Sequence, residues 1–516
     1  MLFQSATFVW AFLLPVVILF YAAARFGGTR WALWVLVVAS LIFYGWSRPG
    51  HLVVLLGSIA ANYLIAGGVI ARRGTRAGRA LLVGGLVLNL GLLAWFKYSL
   101  FAAETIEGLT GWELGWHAVV LPLGISFFTF QKIAYLVDAW RGYFSVQRLS
   151  DYALFVTFFP QLIAGPIVHH TEFFPQLGGS EFGRWRTERM VGGGAIFVLG
   201  LAKKLLLADV FAKEADRIFG HFAVERVLGA VDAWLGVLAY TFQIYFDFSA
   251  YSDMAIGLAL LFGITLPENF AAPYRATSII EFWRRWHMTL SRFLRDYLYI
   301  PLGGSRGGAV RQARSLAVTM VLGGLWHGAA WTFVAWGAIH GVALTVNHLW
   351  RRQRRRLWPA AGWVVTFFVV ASAWVCFRSP DFATAGRVFR AMFGLNGAWS
   401  PGTSGVVSWI QANRPLPEYR HLYEFFGYMD WRTPVASTGL EWRDVLFGRG
   451  TAQLSMLALA FALTACAPPA VRWLWNLETG RARFSTVKAV VVGGLLVAVI
   501  LQGIAVTPST FIYFRF

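Results

Sequence analysis

Thirteen runs of mostly apolar residues follow one another along this chain, and nearly all are long enough to cross the hydrocarbon core of a bilayer as helices. They fall near 7–25, 31–47, 51–71, 80–101, 118–139, 190–211, 229–248, 251–266, 313–331, 332–350, 360–378, 452–474 and 486–506. In lipid the backbone must satisfy its own hydrogen bonds, so such runs are read as helices. The expectation is an all-α polytopic membrane protein of eleven to thirteen spans, forming one membrane domain over 1–516. Composition agrees. Only 14% of the side chains are charged, against roughly 25% in soluble domains, too few to cover a soluble protein of 516 residues. Disorder is excluded by 44 Phe and 25 Trp. The two cysteines, Cys376 and Cys466, both in apolar runs, exclude a disulfide scaffold and a multi-cysteine zinc site.

The first run has no basic flank and no small-residue cleavage site, so it is read as an uncleaved span rather than a signal peptide. The stretch 152–168 contains Pro160, Gly165 and Pro166 and is expected to be broken or re-entrant. Residues 379–450 are too polar to span and form an insert, with one amphipathic helix near Asp381–Phe393 whose apolar face is Phe382, Val388, Phe389 and Met392.

The net charge is +20. In a soluble chain that excess points to nucleic acid; here the cations sit in short loops between spans, so they are assigned to topology and anionic lipid, and no nucleic acid is expected. Arg72, Arg73, Arg76 and Arg79 form one basic loop, and Arg351, Arg352, Arg354, Arg355 and Arg356 another; both are placed in the cytoplasm. The segment 102–117 carries Glu104, Glu107 and Glu113 without Lys or Arg and is placed outside. Counting spans then puts both termini and the insert outside.

Ionisable groups within a membrane are costly and mark function. His327, in Gly324-Leu325-Trp326-His327-Gly328, is a single imidazole in an apolar stretch and suits a general base. A charged, aromatic segment runs from Glu281 to Gly304 and contains Arg284, Arg285, Trp286, His287, Ser291 and Arg292. At helical spacing it reads as one interfacial or re-entrant helix, with arginines able to hold a phosphate-bearing ligand or lipid phosphate. Asp247 and Asp253 are six residues apart, about 240° on a helix, so they do not face each other. Asp247 is expected to pair with an arginine or to help order a histidine. Lys203 and Lys204 interrupt the run 190–211. No phosphate loop or HExxH pair occurs, so ATP hydrolysis has no support.

Taken in order, these segments resemble the membrane-bound O-acyltransferase (MBOAT) family, and within it the bacterial branch that O-acetylates polysaccharides such as alginate. The resemblance rests on 324–328 with Arg284–Ser291 forty residues earlier, on Phe158–Ile167 and on Tyr245–Met254. It rests further on Pro267-Glu268-Asn269-Phe270 with Pro273-Tyr274, on Phe377–Ser379, and on the terminal Phe511–Phe516. It implies a bundle of helices enclosing a tunnel, with His327 and His287 as catalytic residues and Asp247 and Asn269 in support. Arg284, Arg285, Trp286, Ser291 and Arg292 become the donor-binding residues.

The resemblance further implies a cytoplasmic thioester donor, acetyl-CoA, as co-substrate, with no bound cofactor and no metal. The acetyl group would cross the bacterial inner membrane to a periplasmic SGNH-type acetyltransferase that modifies an exported polysaccharide. Tyr513 is a candidate acyl relay, with an interfacial anchor as the plain alternative. Rival readings are D-alanyl or other acyl transfer in the same family, and a transporter or flippase for lipid-linked sugars.

Overall fold

The structure, a computed structural model, describes residues 1–46, 48–224, 227–353, 357–398, 449–477, 479–505 and 511. It is built almost wholly of helices. In chain order these are α1 (Thr7–Gly27), α2 (Thr29–Gly45), α3 (His51–Ala71) and α4 (Arg76–Thr110). Then come α5 (Ile125–Arg141), α6 (Leu149–Thr157), α7 (Phe159–Leu162) and α8 (His170–Leu177). Next are α9 (Thr187–Ala202), α10 (Asp209–Ala223), α11 (Ala230–Leu260), α12 (Ile279–Trp283) and α13 (Met288–Leu294). The series ends with α14 (Gly308–His327), α15 (Trp331–Arg352), α16 (Pro359–Arg378), α17 (Phe382–Met392), α18 (Arg449–Cys466), α19 (Ala470–Leu474) and α20 (Thr486–Ala505). A two-residue hairpin, Trp475–Asn476 against Arg481–Ala482, is the only sheet among the described residues.

Among them α1, α3, α4 and α16 are long and apolar enough to cross a membrane by composition alone. Other long helices carry internal polar residues and turn these inward. In α11 almost every residue from Asp232 to Leu260 is buried. The expected separate spans at 229–248 and 251–266 are therefore one helix of 31 residues, about 46 Å long. Nothing in Ser249-Ala250-Tyr251 breaks it. Helix α4 likewise runs past the end of its apolar run at 101, continuing to Thr110 before Gly111 ends it with φ 72°. The stretch 152–168 is broken as its prolines predict, α6 stopping at Thr157 and the one-turn α7 at Leu162.

Two buried apolar clusters fill the bundle. The first joins α1–α3, α5–α7, the second half of α11 and Trp326. The second joins α10, the first half of α11, α12 and α15–α17. Within a bilayer, helices gain little from hiding apolar surface and rely on close packing. The α14–α15 pair achieves this through glycine. A Cβ on Gly324 would overlap the carbonyl oxygen of Phe333, and one on Gly337 the carbonyl of Met320. The glycines around His327 thus serve the approach of a neighbouring helix.

The amphipathic helix of the insert exists as α17, capped by Asp381, whose side chain accepts from the Thr384 N–H at 2.6 Å. It docks on α10, α11 and α16 instead of lying unpartnered. Its inward face is Ala385, Val388, Ala391 and Met392, whereas Phe382 is 56% exposed, a correction to the expected face. The rest of the insert from 399 to 448, and the 354–356 arginines, lie outside the described residues.

Candidate active site

His327 is the last residue of α14, and His287 precedes the first residue of α13. Both are buried, at 4% and 0% exposure, and their ring centroids lie 6.3 Å apart. They sit on the seam between the two apolar clusters. His327 packs on Trp326 from one cluster and on Trp336 and Phe377 from the other, with centroids at 5.0, 5.1 and 5.2 Å. His287 meets Phe248 edge-on at 4.7 Å.

The expected single helix through Glu281–Ser291 is interrupted at His287. Its φ of 42° is left-handed, a conformation that stores strain and is found most at functional sites. Ala272, opposite, also has positive φ at 49°. The two strained residues belong to one clamp. Ala271 N–H donates to the Arg285 carbonyl and Met288 N–H to the Asn269 carbonyl, both at 2.9 Å.

The Asn269 side chain fixes the imidazole. Its Oδ1 accepts from Thr289 N–H at 3.3 Å, from Thr289 Oγ1 at 2.9 Å and from His287 Nδ1 at 3.1 Å. A backbone N–H only donates, so the amide atom facing Thr289 is the oxygen. Nδ1 of neutral His287 therefore carries the proton, and Nε2 carries the lone pair. Asn269 Nδ2 donates to Ser252 Oγ, and Thr289 Oγ1 accepts from Ile167 N–H at 3.0 Å, tying the broken 158–167 stretch to the site.

The expected donor-binding arginines have different partners. Arg285 pairs with Glu281 at 2.7 Å and Arg292 with Glu172 at 2.5 Å, each neutralised by a carboxylate beside it in the fold. Arg284 is exposed and has no acidic partner among the described residues. Trp286 is buried, stacked on Phe282 and tilted against Trp374, and Ser291 Oγ is spent on the Trp286 carbonyl. Asp247 pairs with Lys204 at 2.7 Å, a lysine instead of the expected arginine, while Lys203 takes Asp253 at 2.5 Å. The π-wound turn Lys203–Ala208 brings both lysines to α11. Tyr513 lies outside the described residues. Among those described, no three His, Cys, Asp or Glu side chains converge as metal ligands.

Three residues escaped the sequence reading. Lys97, on a π-wound turn within α4, donates to the carbonyls of Trp326 and His327 at 2.6 and 3.1 Å, and Tyr98 donates to that of Leu325 at 2.8 Å. Helix ends expose such carbonyls, and here two side chains hold the end that bears His327. A lone lysine inside the run 80–101 was the available signal. The third is His340, wholly buried and 4.8 Å from Trp336. A cavity of about 120 Å³ reaches His327 past Lys97, Gly124, Ser126 and Ile163. An apolar cavity of about 980 Å³ lies behind it, between α4, α5 and α14, lined by residues such as Leu93, Phe101, Ile133 and Leu322.

Comparison with known proteins identifies the family. Residues 144–379, which include both histidines, match the MBOAT, membrane-bound O-acyltransferase, family. The chain is 41% identical over 435 residues to a peptidoglycan O-acetyltransferase of Helicobacter pylori, covering 77% of this chain and 80% of that one. It is 41% identical over 407 residues to the "probable alginate O-acetylase AlgI" of Pseudomonas aeruginosa, covering 77% and 76%. A teichoic acid D-alanyltransferase of Bacillus subtilis is 27% identical over 277 residues, 51% of this chain and 68% of that one. The chain belongs to the membrane-bound O-acyltransferase family and is an acyltransferase.

Proposed function

We propose that this protein takes an acetyl group from acetyl-CoA on the cytoplasmic side and passes it through the membrane for O-acetylation of an exported polysaccharide. The observation that carries the reading is the pair of buried imidazoles 6.3 Å apart, one of them locked by Asn269 with its basic nitrogen free of the proton. Relatives at 41% identity named for O-acetylation favour acetyl over D-alanyl transfer, since the named D-alanyl relative is 27% identical over 51% of the chain. The basic loops at 72–79 and 351–352 support a cytoplasmic position for those ends.

In this scheme the acceptor hydroxyl reaches His327 through the cavity beside Gly124 and Ser126, on the side of the acidic 104–113 segment. His327 takes the hydroxyl proton as its oxygen bonds the acetyl carbon; the carbon–sulfur bond then breaks, and the imidazolium returns the proton to the thiolate. The hydroxyl has a single proton, so His287, with Nδ1–H committed to Asn269 and a lone pair on Nε2, is an alternative acceptor for that proton to His327, and suits less a role as donor to the developing oxyanion. The acceptor that carries the group onward is a periplasmic SGNH-type transferase, directly or through Tyr513. Tyr513→Phe tests the relay: unchanged acetylation in cells removes it.

The decisive experiment incubates purified protein with radiolabelled acetyl-CoA, comparing wild type with His327→Ala. Transfer or thioester hydrolysis that depends on His327 is expected. Activity only with a loaded carrier protein overturns the donor, and full activity of His327→Ala overturns the mechanism.

A further inference from the structure

The transfer proposed above needs a donor for the charge that forms on the acetyl carbonyl oxygen. His287, its Nδ1–H held by Asn269, leaves that place open. Lys97 stands where the donor is needed. It lines the cavity of about 120 Å³ that reaches His327, and no other lysine or arginine among the described residues does so. Trp326 Nε1, a second N–H in that lining, is committed to the Ser126 carbonyl at 3.4 Å. Lys97 and the His327 ring also interact electrostatically.

An ammonium has three N–H donors, and Lys97 spends two of them, on the carbonyls of Trp326 and His327 at 2.6 and 3.1 Å. The third remains for a group in the cavity. Lys203 and Lys204, also within the bundle, face Asp253, Asp209 and Asp247. Lys97 has no carboxylate within 4.0 Å among the described residues. A cation without a counter-charge inside a membrane protein is costly and marks function. The two carbonyls of the helix end offset part of its charge and fix the ammonium at one point, so it is in place before charge develops. The π-wound turn Ala94–Tyr98 sets Lys97 and Tyr98 side by side on the end of α14. Tyr98, which takes the Leu325 carbonyl at 2.8 Å, lines the large apolar cavity instead. Helix α5 begins beside the smaller cavity, with Ile125 and Ser126 in its lining, and its N-terminal dipole adds positive potential there.

We infer that Lys97 is a catalytic residue, the oxyanion donor of the acyl transfer. As the acceptor oxygen bonds the acetyl carbon, the π pair of the C=O bond moves onto the carbonyl oxygen and the hydroxyl proton moves to the imidazole. The third N–H of Lys97 donates to that oxygen while it is anionic. When the C=O bond re-forms, the carbon–sulfur pair leaves on sulfur, which takes the proton from the imidazolium, and Lys97 ends as it began. The inference rests on the transfer at His327 from a thioester, whichever carrier brings it.

The test uses the whole protein in lipid nanodiscs and compares acetyl-CoA with dithioacetyl-CoA, in which sulfur, a weak acceptor, replaces the carbonyl oxygen. Wild type should prefer the oxygen donor. Lys97→Met should lower kcat for acetyl-CoA about 10²-fold or more, leave KM within about threefold, and shrink the preference for oxygen over sulfur about tenfold. Tyr98→Phe loosens the same helix end from outside the cavity and should leave that preference unchanged, whatever it does to stability. Full preference in Lys97→Met, or an equal loss in Tyr98→Phe, makes Lys97 a clamp only and overturns the inference. If Lys97→Met does not fold, Lys97→Gln, which keeps N–H donors without the charge, takes its place. It should retain only part of the preference, and full preference overturns the inference there too. If wild type turns over a loaded carrier protein and not acetyl-CoA, the acetyl-CoA reading fails, and acetyl- and dithioacetyl-loaded carrier decide Lys97 by the same ratio. Turnover of neither by wild type overturns the transfer reading, and the inference with it.

Discussion

Asn269→Ala is the sharpest probe of how the fold prepares His287. Four hydrogen bonds are lost, three accepted by Oδ1 and one donated to Ser252. The hydroxyls of Thr289 and Ser252 can rotate to other partners. Thr289 N–H and His287 Nδ1–H cannot, and each buried donor left alone costs roughly 1–3 kcal/mol. With the bonds themselves at about 1 kcal/mol net, the variant should lose about 4 kcal/mol and unfold several degrees lower in nanodiscs. The larger effect is chemical. Without an acceptor at Nδ1 the proton is no longer confined there, the lone pair is no longer held at Nε2, and kcat should fall on the order of 10²-fold. Thr289→Val separates the two effects. It removes one donor to Oδ1 and the acceptor for Ile167 N–H, but leaves the His287–Asn269 bond in place. It should lower stability by about 2 kcal/mol and leave kcat within a few-fold. Single-turnover acetyl transfer beside thermal scanning reads both. If Thr289→Val loses as much kcat as Asn269→Ala, or if Asn269→Ala keeps kcat within threefold, the tautomer argument is wrong.

Lys204→Met should cost about 3–5 kcal/mol, since it leaves Asp209 and Asp247 without the ammonium they share, and adding Asp247→Asn should recover part of the loss; thermal unfolding of the single and double variants checks this. Gly337→Ala pushes α15 off the Met320 carbonyl and should lower both the unfolding temperature and kcat, because α14 ends in His327; a stable, active variant would show that the helix pair tolerates separation. Asp381→Ala removes the cap of α17 and should cost about 1 kcal/mol without changing kcat, while Asp381→Asn should retain most of the stability.

Much of the architecture was legible in one dimension because a bilayer permits few solutions. Apolar length alone located α1, α3, α4 and α16, and the prolines at 160 and 166 marked a real break. Local signals failed where a choice depended on distant partners. Whether helix continues past Ser249 is invisible when both halves are buried against other helices, and α17 chose its face by what it docks on.

The candidate site divides in the same way. Sequence by itself determined the class, an all-helical membrane acyltransferase, and made His327 conspicuous, because charge is so scarce in this chain that an imidazole in an apolar run stands out. It listed the arginines near His287 without being able to sort them. Only the tertiary structure decided that Arg285 and Arg292 are already neutralised and that Lys97 closes the end of α14. Which tautomer His287 holds is likewise set by Asn269, brought opposite it by a clamp of two strained residues. The reason is common to all of these. Residue type fixes what a group can donate, accept or charge, whereas its partner, and therefore its role, depends on which distant segment the packing brings within about 3 Å.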